Sequence, residues 1–257
     1  MRSEQFSDGS AGDTNYGEVG IDYARYRQPD PGIAHHILAA IGDAHTVLNV
    51  GSGAGSYEPR DCKVIAVEPS ATMRAQRPLD LPDAIDAVAE HLPFPDLSFD
   101  AAMATSTVHQ WPDLPAGIGE LVRVTRGPIV ILTSDPAALH RYWLADYLPE
   151  ILDIEARRFP AIDTIASLLG GAEIRDVPIP LTCTDGFEEA YYGRPEMFLD
   201  PGSQRAISIW SFLSPEANAR FMRHLTADLE SGAWDRKYGH LRTQPTFNGA
   251  LRLIIRP

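Results

Sequence analysis

The chain has 257 residues, 44% of them hydrophobic and 22% charged, a composition that fits one large globular domain or a domain with an insertion and excludes wholesale disorder. Its 22 Lys and Arg stand against 35 Asp and Glu, a formal net charge of −13, which argues against nucleic acid and anionic membrane surfaces as partners. A cationic small molecule would not be repelled.

No apolar run approaches the roughly 18–20 residues that span a bilayer. The opening MRSEQFSDGSAGDTNYG has no hydrophobic signal-peptide segment, so residues 1–14 read as a flexible polar tail. Asp30 and Pro31 cap and start a helix in which Ile33, Ile37, Leu38 and Ile41 recur at helical spacing. Residues 46–50 (TVLNV) form a short buried strand that runs into glycines, and residues 63–67 (KVIAV) form a second. Ser70 N-caps a short helix over residues 71–76, which Pro78 stops. Residues 85–88 read as a third strand and residues 99–104 as a fourth. Asp113 opens a helix with Leu114, Ile118, Leu121 and Val122 on one face, and Gly127 and Pro128 end it. The next run, 129–132 (IVIL), is apolar throughout, as a parallel strand covered on both faces should be. A helix near 162–169 leads to a strand at 173–177, and residues 251–255 make the last strand.

Between these last two strands the alternation breaks. Asp200-Pro201 and Ser214-Pro215 each start a helix, and the second carries Phe221, Met222, Leu225 and Leu229 on one face. The expected fold is therefore α/β: a doubly wound, mostly parallel seven-stranded sheet with an α-helical insertion before the last strand. Residues 15–180 would form its core, 181–245 a helical lid over the mouth of the sheet, and 246–257 the final core strand.

The most informative segment is Val50-Gly51-Ser52-Gly53-Ala54-Gly55-Ser56. Glycines at alternate positions after a strand let bare backbone approach a ligand that any Cβ would exclude. The following strand ends in Glu68, a carboxylate placed to accept hydrogen bonds from both hydroxyls of a ribose. Dinucleotide binders and S-adenosylmethionine binders share this pair of features. Two details favour the second: Ser56 stands where the dinucleotide fingerprint needs Gly or Ala, and the interval 51–62 contains Pro59 and leaves room for hardly one helical turn. A pyrophosphate wants a full helix N-terminus, whereas a sulfonium amino acid does not.

With these residues in view, the chain resembles the class I S-adenosylmethionine-dependent methyltransferases, in the branch grouped with ubiquinone/menaquinone and trans-aconitate methyltransferases. The resemblance rests on VLNVGSGAG (47–55), AVEPSATM (66–73), AEHLPFPDLSFD (89–100), ATSTVHQWPDL (104–114) and YARYRQPDP (23–31), and covers roughly residues 15–135. It implies S-adenosylmethionine as cofactor, with Gly51, Ser52 and Gly53 against the methionine part and Glu68 on the ribose. It places Pro69, Ser70 and Met73 on one side of the adenine, Ala89 and Glu90 on the other, and Thr105 and Ser106 by the reactive methyl. Tyr23 and Arg27 would fold over the site, the guanidinium pairing with the cofactor's carboxylate. Two positions depart from the family's pattern: Asn49 stands where an Asp is usual, and Val88 where many relatives carry an acid for the adenine amino group. Asp86 or a backbone carbonyl would have to substitute for the latter.

His109, just after the fourth strand, is the candidate general base, since imidazole titrates near neutrality; packing against Trp111 or gating the pocket is the alternative. His35 and His36 are about 100° apart on their helix and share no face, and no Cys/His/Asp cluster has zinc spacing, so no metal site is expected. Tyr142, Trp143, Tyr191, Tyr192 and Trp210 are candidates for an acceptor wall or, more simply, core. The charged stretch 150–158 reads as a solvated helix face.

The resulting expectation is a cytoplasmic enzyme, monomeric or homodimeric, that moves a methyl group from S-adenosylmethionine to an O, N or C atom of a small metabolite. The two cysteines, Cys62 and Cys183, support a reducing compartment only by forming no disulfide scaffold. The alternatives are a nicotinamide-dependent oxidoreductase and a non-catalytic S-adenosylmethionine binder.

Overall fold

Strands whose every position is apolar need cover on both faces, and this chain supplies it by alternating them with amphipathic helices. The computed structural model describes residues 6–19 and 23–257. Its main sheet contains β1 (Thr46–Val50), β2 (Lys63–Val67), β3 (Ala84–Ile85), β4 (Ala101–Thr105), β5 (Ile129–Ser134), β6 (Glu173–Asp176) and β9 (Leu251–Arg256). The order is β3-β2-β1-β4-β5-β9-β6, the first five parallel and β9 antiparallel to both of its neighbours. A two-residue ribbon, β7 (Ile179–Pro180) with β8 (Thr246–Phe247), pins the two ends of the insertion together. The expected seven-stranded, doubly wound sheet is present, with the insertion where the sequence puts it.

The two-residue period of the strands sorts side chains into two cores. Val47, Met103 and Val130 face Ile33, Ile37 and Ile41 of helix Pro31–Ile41. Leu48, Ala102 and Ile129 face Ile118 and Leu121 of helix Leu114–Val124, together with Ile165 of helix Ile162–Leu168. Capping matches the sequence: Asp30 accepts from the Gly32 and Ile33 amides, Asp113 from Ala116, Asp200 from Gly202 and Ser214 from Ala217. The first core continues without a break into the insertion, where Phe198, Phe221 and Trp234 are buried together with Trp143. Tyr142, Tyr191 and Tyr192 are buried in the same cluster.

Four local expectations are corrected. The third strand is Ala84–Ile85 and not 85–88, because β2 offers no pairing past Val67; the Glu68 amide makes the last bond, to the Ile85 carbonyl, at 3.0 Å. The fourth begins at Ala101 and not Phe99, which forms only an isolated bridge to Thr125. The helix after Ser70 stops at Arg74, and the chain then tightens through a bond from the Gln76 amide to the Met73 carbonyl. Finally, residues 8–14 are not a free tail. Ser70 Oγ donates to Asp8 Oδ2 (2.6 Å), Gln110 Nε2 donates to Asp13 Oδ1 (3.0 Å), and Ser10 and Thr14 are buried. They form a strap across the carboxyl ends of the strands.

Candidate active site

Three strand ends converge under the strap: β1 runs into Gly51, β2 into Glu68, and β4 into Ser106. Between them lies a cavity. The amides of Gly51 and Ser52 both donate to the Val67 carbonyl at 2.9 Å, which folds the glycine turn back against β2. Gly51 and Gly53 sit at φ +68° and +53°, and a Cβ on Gly51 would lie 2.0 Å from Thr107 Oγ1, so this turn requires glycine. Residues 51–62 contain no helix, so no helix dipole faces the turn to receive a pyrophosphate.

Glu68 is held rigidly. Its Oε2 accepts from the Gly53 amide and its Oε1 from the Ser70 amide, both at 2.8 Å. Burial raises its pKa, and the two backbone donors oppose that rise. Lining the same cavity are Tyr23, Arg27, Ser52, Pro69, Met73, Ala89, Glu90 and Thr105. Of the expected cofactor residues only Ser70 is not in the wall: it is fully buried, and its hydroxyl caps the Met73 amide. Asp86 does not substitute at Val88, being exposed and paired with Arg74 at 3.0 Å.

Two networks beneath the cavity escape a reading of the sequence. Asn49 donates to Glu58 Oε1 (3.0 Å), and Glu58 receives both terminal nitrogens of Arg77, each at 3.0 Å. Asn is thus suited to its place, since an Asp there would face Glu58 across a dry core. Arg27 forms an ion pair with Asp185 through Nε, and Tyr57 donates to the other carboxylate oxygen at 2.8 Å. Asp185 belongs to the insertion, so this pair ties roof to floor; the Arg27 Nη groups have no hydrogen-bond partner among the described residues. Only the fold brings Asp30, Tyr57 and Asp185 together, and no motif announces it.

Tyr16, Tyr23, Arg27 and Ser106 also line a second chamber. Ser106 at φ +53° is a non-glycine residue in the left-handed region, a strained backbone at the junction of the two spaces. The second chamber's other walls include His109, Phe159, Phe187, Glu155, Glu188 and Ile207. His109 stacks on Phe159 (centroids 4.2 Å apart) and not on Trp111. Burial, reinforced by the Arg158 charge, pushes its pKa down to about 3. Such an imidazole is neutral at physiological pH; it accepts a hydrogen bond but is too weakly basic to hold a proton there. Its Nδ1 has no partner.

Tyr142, Trp143, Tyr191, Tyr192 and Trp210 line neither chamber. The stretch 150–158 is not wholly a solvated face: Glu155 is 2% exposed, and Arg158 turns inward to bond Asp13 at 2.8 Å and Glu155 at 3.0 Å. The signal available beforehand was helical spacing, since Ile151, Ile154, Glu155 and Arg158 share one face of that helix.

A methyltransferase-domain family matches residues 48–128. The crystal structure of a putative methyltransferase from an antibiotic biosynthesis pathway of Anabaena variabilis superposes with a TM-score of 0.83 and 30% identity, over 90% of this chain and 99% of that one. A putative sarcosine dimethylglycine methyltransferase of Galdieria sulphuraria shares the fold at a TM-score of 0.51 and 15% identity, over 87% of this chain and 81% of its own. The malonyl-[acyl-carrier protein] O-methyltransferase of Yersinia pestis is 34% identical over 110 residues, 38% of this chain; that match spans 40% of the enzyme's own length.

Proposed function

The chain belongs to the class I S-adenosylmethionine-dependent methyltransferases, and on that premise we propose that it methylates a small-molecule acceptor held in the second chamber. The observation that carries this reading is the junction at Ser106, where the cavity beside the glycine turn shares a wall with a separate space lined in part by the insertion. A roofed space suits a compact organic molecule and not a nucleic acid, which the net charge of −13 also disfavours.

When bound, S-adenosylmethionine supplies a methyl group on a positively charged sulphur. Gly51, Ser52 and Gly53 lie against its methionine part, where only bare backbone fits. Glu68, fixed by two amides, offers its remaining lone pairs to the ribose hydroxyls. Pro69 and Met73 pack on one face of the adenine, Ala89 and Glu90 on the other. The free Nη groups of Arg27 meet the carboxylate. Tyr23, Thr105 and Ser106 enclose the methyl and exclude water, so that an acceptor atom is held in line with the breaking bond. His109 orients the acceptor by accepting a hydrogen bond. Residues 15–180 act as the cofactor-binding core, 181–245 as the roof that selects the acceptor, and 246–257 as the closing strand. Among the described residues no helix is long and apolar enough to cross a membrane; the cytoplasm is the proposed location.

Calorimetric titration with S-adenosylhomocysteine is expected to show one site per chain, and a parallel titration with NADH none. Heat from NADH alone would reverse the assignment. Release of S-adenosylhomocysteine in the presence of an acceptor panel separates an enzyme from a passive binder.

A further inference from the structure

Two carboxylates face the second chamber, Glu155 from helix Glu150–Arg158 and Glu188 from the turn Glu188–Tyr191 of the insertion. Both are deeply buried, at 2% and 9% exposure. Glu155 Oε1 accepts from Arg158 at 3.0 Å, but Oε2, shut away from bulk solvent, has no hydrogen-bond partner among the described residues. Among the described residues Glu188 forms no ion pair. The cations nearby are already engaged, Arg27 with Asp185, and Arg158 with Asp13 and Glu155. Among the described residues, the carboxylates that act on or are acted on by Glu155 and Glu188 include Asp13, Asp185 and Glu189, and the cations are the guanidinium groups of Arg27 and Arg158. His109 adds no charge at neutral pH.

A buried carboxylate without a counter-ion must take up either a proton or a cation. In the free protein both lean toward the proton: burial first, then repulsion from Glu188, raises the pKa of Glu155 to about 8, and burial raises that of Glu188. One side of the wall is apolar, with Phe159, Phe187, Ile207, Ile209 and Leu251, and the other carries Tyr16, Tyr23, Arg27, His109 and three serine hydroxyls. Aromatic faces favour a cation, and aliphatic walls favour a hydrocarbon body. We infer that the acceptor carries an amino group: its ammonium head sits between Glu155 Oε2 and the Glu188 carboxylate, and its apolar body lies against Phe159, Phe187 and Leu251. The word acceptor rests on the methyl-transfer reading; the preference of the chamber for an amine does not. A neutral alcohol would satisfy one oxygen and leave the charge imbalance untouched, and a carboxylic acid would worsen it.

Three probes of similar shape test this: phenethylamine, phenethyl alcohol and hydrocinnamate, titrated by calorimetry with and without saturating S-adenosylhomocysteine. The amine is expected to bind about tenfold or more tighter than the alcohol, and hydrocinnamate weakest. In two buffers of different ionisation enthalpy, amine binding near neutral pH is expected to release protons, because the ammonium favours the charged form of Glu155. The alcohol should release none. Glu188→Gln is expected to weaken the amine about tenfold while changing the alcohol by less than about threefold. Equal binding of amine and alcohol, a preference for the acid, or amine binding without proton release overturns the proposal. The wild-type proton count decides the matter even if the variant fails to fold. Failure of S-adenosylhomocysteine to bind would instead remove the methyl-transfer reading, and the arm without it still decides the amine.

Discussion

The two chambers meet at Ser106, yet they are built by opposite strategies. The cofactor cavity is made of backbone at strand ends: a glycine turn, two amides gripping Glu68, and a bend after β4. Its shape follows from where parallel strands stop, a property of the sheet itself. The second chamber is made of side chains borrowed from distant places: Tyr16 and Tyr23, Glu155 of helix Glu150–Arg158, the turn at Glu188 and residues Ile207 to Ile209. Its shape depends on how those pieces dock. The first can stay constant while the second changes, which separates a shared donor from a specific acceptor.

Arg158 is the point at which the strap over the first cavity can be released without touching Glu68. Arg158→Ala leaves Asp13 and Glu155 without their cation and unpins the strap, at a cost of about 3 kcal/mol. For a protein of this size the expected fall in melting temperature is about 6–12 °C, readable by calorimetric scanning. Limited proteolysis should then cut within residues 6–19 faster than in the wild type. An unchanged melting temperature would mean that the strap is not held by this pair.

The converse cut is Glu68→Ala. It removes a charged acceptor of two amides and of the ribose, so S-adenosylhomocysteine affinity should fall about a hundredfold, on the order of 2–3 kcal/mol. Affinity for the second chamber's probes should move much less. Equal loss at both sites would show that the chambers are not separable.

His109 gives a smaller effect with a defined sign. Its folded pKa lies near 3, below the ordinary value of 6.5, so the unfolded chain takes up the proton first as pH falls. The wild type should lose about 1–2 kcal/mol of stability through this group between pH 7 and pH 5, and His109→Phe should lose that much less over the same interval. Melting temperatures of both proteins at the two pH values measure the difference. The same depressed pKa predicts that turnover shows no inflection near pH 6.5 attributable to this side chain. Smallest of all, Asp86→Asn should leave S-adenosylhomocysteine affinity within about twofold, because an exposed pair with Arg74 contributes little.

Much of the fold was legible because it is written locally. Strand runs such as IVIL, caps such as Asp30-Pro31 and Ser214-Pro215, and the Gly51–Gly55 turn each state a conformation within a few residues. Most of the residues expected around the cofactor line one cavity, since the ends of adjacent parallel strands converge by necessity. What escaped was non-local. Residues 8–14 have no hydrophobic pattern, and they are ordered only because Ser70, Gln110 and Arg158 offer partners. The inward turn of Glu155 and Arg158 looked like surface charge because a helix reports its faces but not which one another segment will cover. Tyr142 and Tyr191 looked available for a ligand, and the aromatic core took them.

The amino-acid sequence by itself determined the order of strands and helices, the glycine turn and the acid at the end of β2. Those depend on backbone freedom and on periodicity, which neighbours in the chain already set. Tertiary structure alone decided which charges lie in the dry: that Asn49 serves Glu58, that Arg27 is held by Asp185, and that Glu188 is left without a cation. The energy of a charge depends on the solvent it loses and the partners it gains, and both are fixed only when remote segments close over it.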